Sequence, residues 1–199
     1  TAVMKAVQTG MTSHLDGDVG IVRRVAPQIM TLPAELECPY CLPLEASPHL
    51  AALESRIEID PGKIAAAFRK IRHDHKPDLL LVEGAGGVCV PIGGKYLMSD
   101  LIASLGISAI VASLSSLGAI NHVLLTIREL RSKSLHVGGV VLTRMPKAEG
   151  LIELDNLRTI EKLGHTQILA TIQEVDDPAQ AEFDYESKLL ALLKATANN

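Results

Sequence analysis

Lys5, in "TAVMKAVQTG", stands directly behind an apolar run, with Thr9 and Gly10 close after it. An ammonium at a strand end is a compact, strongly hydrated point charge that can neutralise a phosphate or carbamate. An isolated lysine there more often simply reaches back to solvent. Glu83 closes a second apolar run, "DLLLVEGAGG", and is followed by Gly84, Ala85, Gly86 and Gly87. A carboxylate at the end of a strand that is aliphatic on both faces is costly unless it is paired or holds a cation. The glycines let backbone approach a ligand closely. A hard cation such as Mg²⁺, bound by one or two carboxylates plus phosphate oxygens, suits this position, and a helix cap or an arginine partner accounts for Glu83 equally well. Asp18, in "LDGDVG", could add the second carboxylate, although Asp and Gly together are first of all a turn signal. "SSLGAINH" places small residues and Gly118 ahead of Ala119, Ile120 and Asn121. Such a helix start receives a carboxylate or phosphate readily, or serves as an ordinary cap. His49 and His122 read as structural or peripheral, and no Ser-His-Asp spacing or H-E-x-x-H pattern occurs.

The elements that must position these residues alternate. Residues 78–84, 109–115 and 137–144 are aliphatic runs of the kind that form central parallel strands, and the last of them carries Thr143 at its end. Helical spacing of apolar residues predicts helices over 61–75, 97–106 and 119–134, and "SPHLAALE" (47–54) has Ser at a cap and Pro in the first turn. A fifth helix is expected over 150–164, closed by Gly164, then a short strand over 166–172 and a terminal helix over 184–197. Strands alternating with helices give an α/β fold with a mostly parallel sheet. Ligands in such folds gather at the carboxyl ends of the strands, where Lys5, Glu83, Ser113 and Thr143 stand.

The 199 residues are enough for one domain with a sizeable core. Hydrophobic residues make up 47% and aromatics only 3%, so that core is built from Val, Ile, Leu and Ala. A formal net charge of -4 with scattered basic residues leaves no footprint for a nucleic-acid backbone. Nothing resembles a signal peptide or an apolar span of about 20 residues, so no membrane partner is expected and the cytoplasm is the default. Cys38 and Cys41 form a C-x-x-C, "CPYC", without the second pair of a zinc site. They read as two thiols of an irregular Pro-rich segment rather than as a redox motif.

"MKAVQTG", "SPHLAALE", "LVEGAGGVCVPI" and "SLGAINHVLLT", in that order and spacing, resemble the dethiobiotin synthetase family, most closely over about residues 3–145. Related amidoligases of cobalamin synthesis share similar runs. The resemblance implies a P-loop NTPase-like fold and a homodimer. It also implies ATP-dependent closure of a cyclic urea from 7,8-diaminopelargonic acid and CO₂: a carbamate forms on one amine, ATP phosphorylates it, and the second amine displaces phosphate. By the family's pattern Lys5 would hold the carbamate or the transferring phosphoryl group, and Thr9 would contact the substrate. Asp18 and Glu83 would bind Mg²⁺ and nucleotide, joined in nucleotide binding by Gly84, Ala85, Gly86, Gly87 and Thr143. Gly118, Ala119, Ile120 and Asn121, from the second subunit, would receive the substrate's tail carboxylate. Where many members carry Asn at the base site this chain has Thr143, which leaves the preference among nucleoside triphosphates open. No G-x-x-x-x-G-K-[ST] occurs within residues 1–199. The expectation is therefore a single domain over 1–199 without the family's first strand, phosphate loop and first helix. A non-catalytic nucleotide- or ligand-binding domain is the alternative.

Overall fold

The computed structural model describes residues 1–146 and 150–175, so the helix expected over 184–197 lies outside the described residues. The chain forms two compact units, Thr1–Leu105 and Gly106–Asn199.

In the first unit, β1 (Ala2–Lys5) pairs in parallel with β4 (Leu80–Glu83), in a register that sets Lys5 opposite Glu83. The very short strands β2 (Gln8–Thr9) and β3 (Cys41–Leu42) also pair in parallel, Gln8 opposite Cys41. Helices α1 (Asp18–Val25) and α2 (Ala34–Glu37) pack on β1, and α3 (Pro48–Glu54) lies on β2 and β3. Helix α4 (Pro61–Lys70) starts where the sequence predicts. Asp60 caps it by accepting from the Gly62 N–H at 2.7 Å, and Pro61 fills the first position. Ile64, Ala65, Ala67 and Phe68 turn inward from it, and burying each large apolar side chain is worth about 1.5–3 kcal/mol. The expected helix over 61–75 ends in one π turn, Ile71–His75, which stops where Lys76 takes a left-handed conformation. The antiparallel hairpin β5 (Pro91–Gly93) and β6 (Tyr96–Leu97) leads into α5 (Met98–Leu105).

The second unit holds a three-stranded parallel sheet of β7 (Ala109–Leu114), β8 (Val137–Met145) and β9 (Ile168–Gln173), with β8 in the middle. Helix α6 (Ala119–Ser132) packs on β7 and β8, and α7 (Leu151–Gly164) packs on α6 and β9. Gly139 lies under Leu169 so tightly that a Cβ there would come within 2.4 Å of its side chain. The left-handed residue that ends α7 is His165 rather than Gly164, which is buried against Ile127. The fold is thus α/β, with parallel strands flanked by helices.

Candidate functional site

Parallel pairing of β1 with β4 brings the side chains of Lys5 and Glu83 side by side at the carboxyl ends of both strands. The Lys5 Nζ donates to Glu83 Oε1 at 2.8 Å and stands 2.6 Å from Asp18 Oδ2. The lysine side chain is only 7% exposed, whereas Asp18 and Glu83 are 39% and 56% exposed, so the cation forms the floor and the carboxylates the open rim. Burial by itself would lower the Lys5 pKa, but hydrogen bonds to Asp18 and Glu83 outweigh it and hold the ammonium above its ordinary range. Glu83 thus has the partner that a carboxylate at this strand end requires, and that partner is Lys5 rather than a helix cap or an arginine. Its strand is half-exposed along its length, and the acid has an ion partner.

Asp18 also differs from its sequence reading as part of a turn: it is the first residue of α1. The helix has no side chain at its cap, because the capping position is Gly17. Gln8 supplies the missing acceptor from β2: its Oε1 takes the Asp18 N–H at 3.2 Å, while its Nε2 donates to the Thr9 carbonyl at 3.0 Å. A Cβ on Gly17 would fall 2.4 Å from that Oε1, so glycine leaves the space the amide needs. Gln8 is the residue that sequence reasoning passed over. Its only signal was a polar side chain in an otherwise apolar run next to Thr9.

A second buried contact holds the loop between β2 and α1. The fully buried Glu37 Oε2 accepts from Arg23 Nη2 at 2.7 Å and lies 3.3 Å from His14 Nε2. The loop and α1 are thereby tied to α2 at one end and to β2 at the other.

The glycine run after Glu83 divides by cause. A Cβ on Gly84 would meet Met98 Sδ at 2.9 Å, and Gly86 has a φ of +73°, a turn that favours glycine. Ala85 is buried, while Gly87 faces open space within 4 Å of where a Cβ would sit. Packing and turn geometry account for Gly84 and Gly86, and Gly87 leaves the room through which a ligand could touch backbone.

In the second unit, Gly118 caps α6 at a φ of +97° without a side-chain hydrogen bond. The Ala119 N–H turns back to the Ser116 carbonyl, while those of Ile120 and Asn121 meet no acceptor among the described residues. Unpaired N–H groups of this kind begin every α-helix. Thr143 lies near the carboxyl end of β8, where its Oγ1 donates to the Ser113 carbonyl at 3.3 Å.

The donor set at Lys5 fits Mg²⁺. Two carboxylates share one ammonium, leaving a net negative charge, and both are hard oxygen donors that lean into solvent. No cluster of three or more His, Cys, Asp or Glu side chains suited to a metal occurs among the described residues. A magnesium ion that keeps its waters and takes phosphate oxygens needs only one or two protein carboxylates. No helix among the described residues is long and apolar enough to cross a membrane.

A family profile described as an AAA domain matches residues 1–181. The chain is 40% identical over 160 residues to the ATP-dependent dethiobiotin synthetase BioD of Methanocaldococcus jannaschii, covering 78% of this chain and 72% of that protein. It is 37% identical over 145 residues to the protein of the same name from Aromatoleum aromaticum, covering 71% of this chain and 63% of the relative. A Geobacillus protein, again of that name, is 32% identical over 176 residues, covering 86% and 71%. The match thus spans roughly two thirds of each relative's length. Identity of this extent, on an α/β fold of the P-loop NTPase type, places the chain in the dethiobiotin synthetase family.

Proposed function

We propose that the protein closes the ureido ring of dethiobiotin from 7,8-diaminopelargonic acid, CO₂ and ATP. The observation that carries this reading is the buried Lys5 ammonium held between two solvent-leaning carboxylates at adjoining strand ends. In this reading Lys5 neutralises charge on the carbamate or on the phosphoryl group in transfer, and Thr9 contacts the substrate, steadied through its carbonyl by Gln8. Asp18 and Glu83 hold Mg²⁺, which when bound offsets the charge of the phosphate oxygens. Gly84, Ala85, Gly86 and Gly87 belong to nucleotide binding, as does Thr143. The uncapped start of α6, Gly118 to Asn121, takes the tail carboxylate of a substrate held by the other protomer of a cytoplasmic homodimer. Positioning and charge neutralisation supply most of the catalysis in phosphoryl transfer, and a fixed ammonium beside two metal-binding carboxylates provides both.

The second reading is a related domain that binds nucleotide or another ligand without turnover. The test is to incubate the protein expressed from its complete reading frame with diaminopelargonic acid, bicarbonate, Mg²⁺ and ATP, and to look for dethiobiotin by mass. Dethiobiotin formed in step with phosphate release supports the synthetase. Nucleotide binding with no dethiobiotin replaces it with the second reading.

A further inference from the structure

We propose that Cys38 and Cys41 are a dithiol site: a small-molecule disulfide such as oxidised glutathione converts the pair to an internal disulfide, and this loosens the strand and loop that carry Gln8 and Asp18. The irregular "CPYC" segment runs from α2 into β3 and sets the two thiols at C-x-x-C spacing, with Cys41 close enough to push the Cys38 thiol up. C-x-x-C is the spacing at which dithiol and disulfide interconvert in thiol–disulfide oxidoreductases. Cys38 is buried and Cys41 half-buried, so an incoming reagent meets Cys41 first.

The pair is wired to the Lys5 cluster. Cys41 stands opposite Gln8 in the β2–β3 ladder. The Cys38 thiol donates to the Tyr40 carbonyl at 3.3 Å, the same carbonyl that accepts the Gln8 N–H at 2.8 Å. The Cys41 thiol donates to the Met11 carbonyl at 3.3 Å, at the start of the loop that ends in Asp18. A disulfide has no S–H, so closure removes both donors together, on two sides of Gln8. The Lys5 ammonium is also near enough to favour the Cys38 thiolate.

The exchange balances as two steps. Cys41, as thiolate, attacks the reagent's disulfide, giving a mixed disulfide and one reagent thiolate. Cys38 then attacks the Cys41 sulfur and releases the second reagent thiolate, and the two protons lost by the cysteines end on the two reagent thiols. The protein pair is oxidised by two electrons and the reagent is reduced by two. Burial, with Cys41 beside it, pushes the Cys38 thiol up to about 12, so closure is slow near neutrality and quickens as pH rises.

The test uses the intact chain in a Cys89→Ser background, which removes the exposed third thiol. Oxidised glutathione is expected to lower the mass by about 2 Da, two hydrogens, with both cysteines protected from alkylation and restored by dithiothreitol. Cys38→Ser is expected to stall with glutathione on Cys41, and Cys41→Ser to yield no closed form. A lasting glutathione adduct in the Cys89→Ser protein, or two thiols still free, overturns the dithiol. Amide hydrogen exchange across Gln8–Asp18 is expected to rise by about tenfold on closure, the scale of an ordinary coupling between sites. Unchanged exchange in the closed form overturns the link to Asp18. Any effect on dethiobiotin formation rests on the function proposed above, but the mass and exchange readouts do not, so failure of one reading is distinguishable from failure of the other.

Discussion

A buried ammonium shared by two exposed carboxylates has two separable consequences, one for stability and one for chemistry. Because its contacts raise the Lys5 pKa above the ordinary 10.5, the folded state holds that proton more tightly than the unfolded chain. The resulting stabilisation is complete below the unfolded value and is lost as pH climbs through the higher folded one. Urea midpoints of the wild type and of Lys5→Met should therefore differ by a constant amount at pH 7–9 and converge above about pH 10.5. For the chemistry, Lys5→Ala should lower turnover by about 100-fold or more, the usual cost of removing one preorganised charge, and alter nucleotide affinity far less. A parallel loss of affinity would instead give Lys5 a binding role. Glu83→Ala should remove the Mg²⁺ dependence of nucleotide binding in a titration with and without the metal. Unchanged dependence would take Glu83 out of the metal site.

Helix α1 exists because two glycines make room for its surroundings. Gly17 clears the Gln8 amide, and at Gly20 a Cβ would fall 1.7 Å from the Leu15 carbonyl oxygen. Gly20→Ala pushes against backbone and should cost about 1–3 kcal/mol, read as a lower thermal midpoint. Gly17→Ala meets only a movable side chain, so it should cost less stability yet displace Gln8 and weaken Mg²⁺-dependent binding through Asp18. This helix also marks where the sequence stops being readable. The strands at 109–114 and 137–145 and the helices from Pro61 and Ala119 carry apolar runs long enough for their period to show. Helix α2 and strands β2, β3, β5 and β6 are two to four residues each, too short for any periodicity. The cap of α1 comes from a side chain ten positions away, and nothing local announces it. Lys5, Asp18 and Glu83 were legible as residue types at strand ends and loops. That one ammonium would bridge both acids follows only from the β1–β4 register and the Gln8 cap.

At the scale of the molecule, an aliphatic, aromatic-poor composition was enough to indicate helices on parallel strands, and the two units bear that out. It could not indicate how open each strand would be, because exposure depends on neighbours rather than on the strand's own residues. Leu81 in β4 and Leu114 in β7 are both exposed although their runs read as central strands. The mild acidity has a practical outcome: with a pI near 6.0, solubility should pass through a minimum close to pH 6, measurable by turbidity across pH 5–8. The π turn at Ile71–His75 has an outcome of another kind. The Lys76 N–H reaches back to Ile71 at 3.2 Å, enclosing one residue more than an α turn would. A chain one residue shorter between Arg72 and His75 would close that turn as ordinary helix while Ile71 kept its place in the core. A one-residue deletion there should leave the core of the first unit in place, read as a thermal midpoint close to that of the wild type.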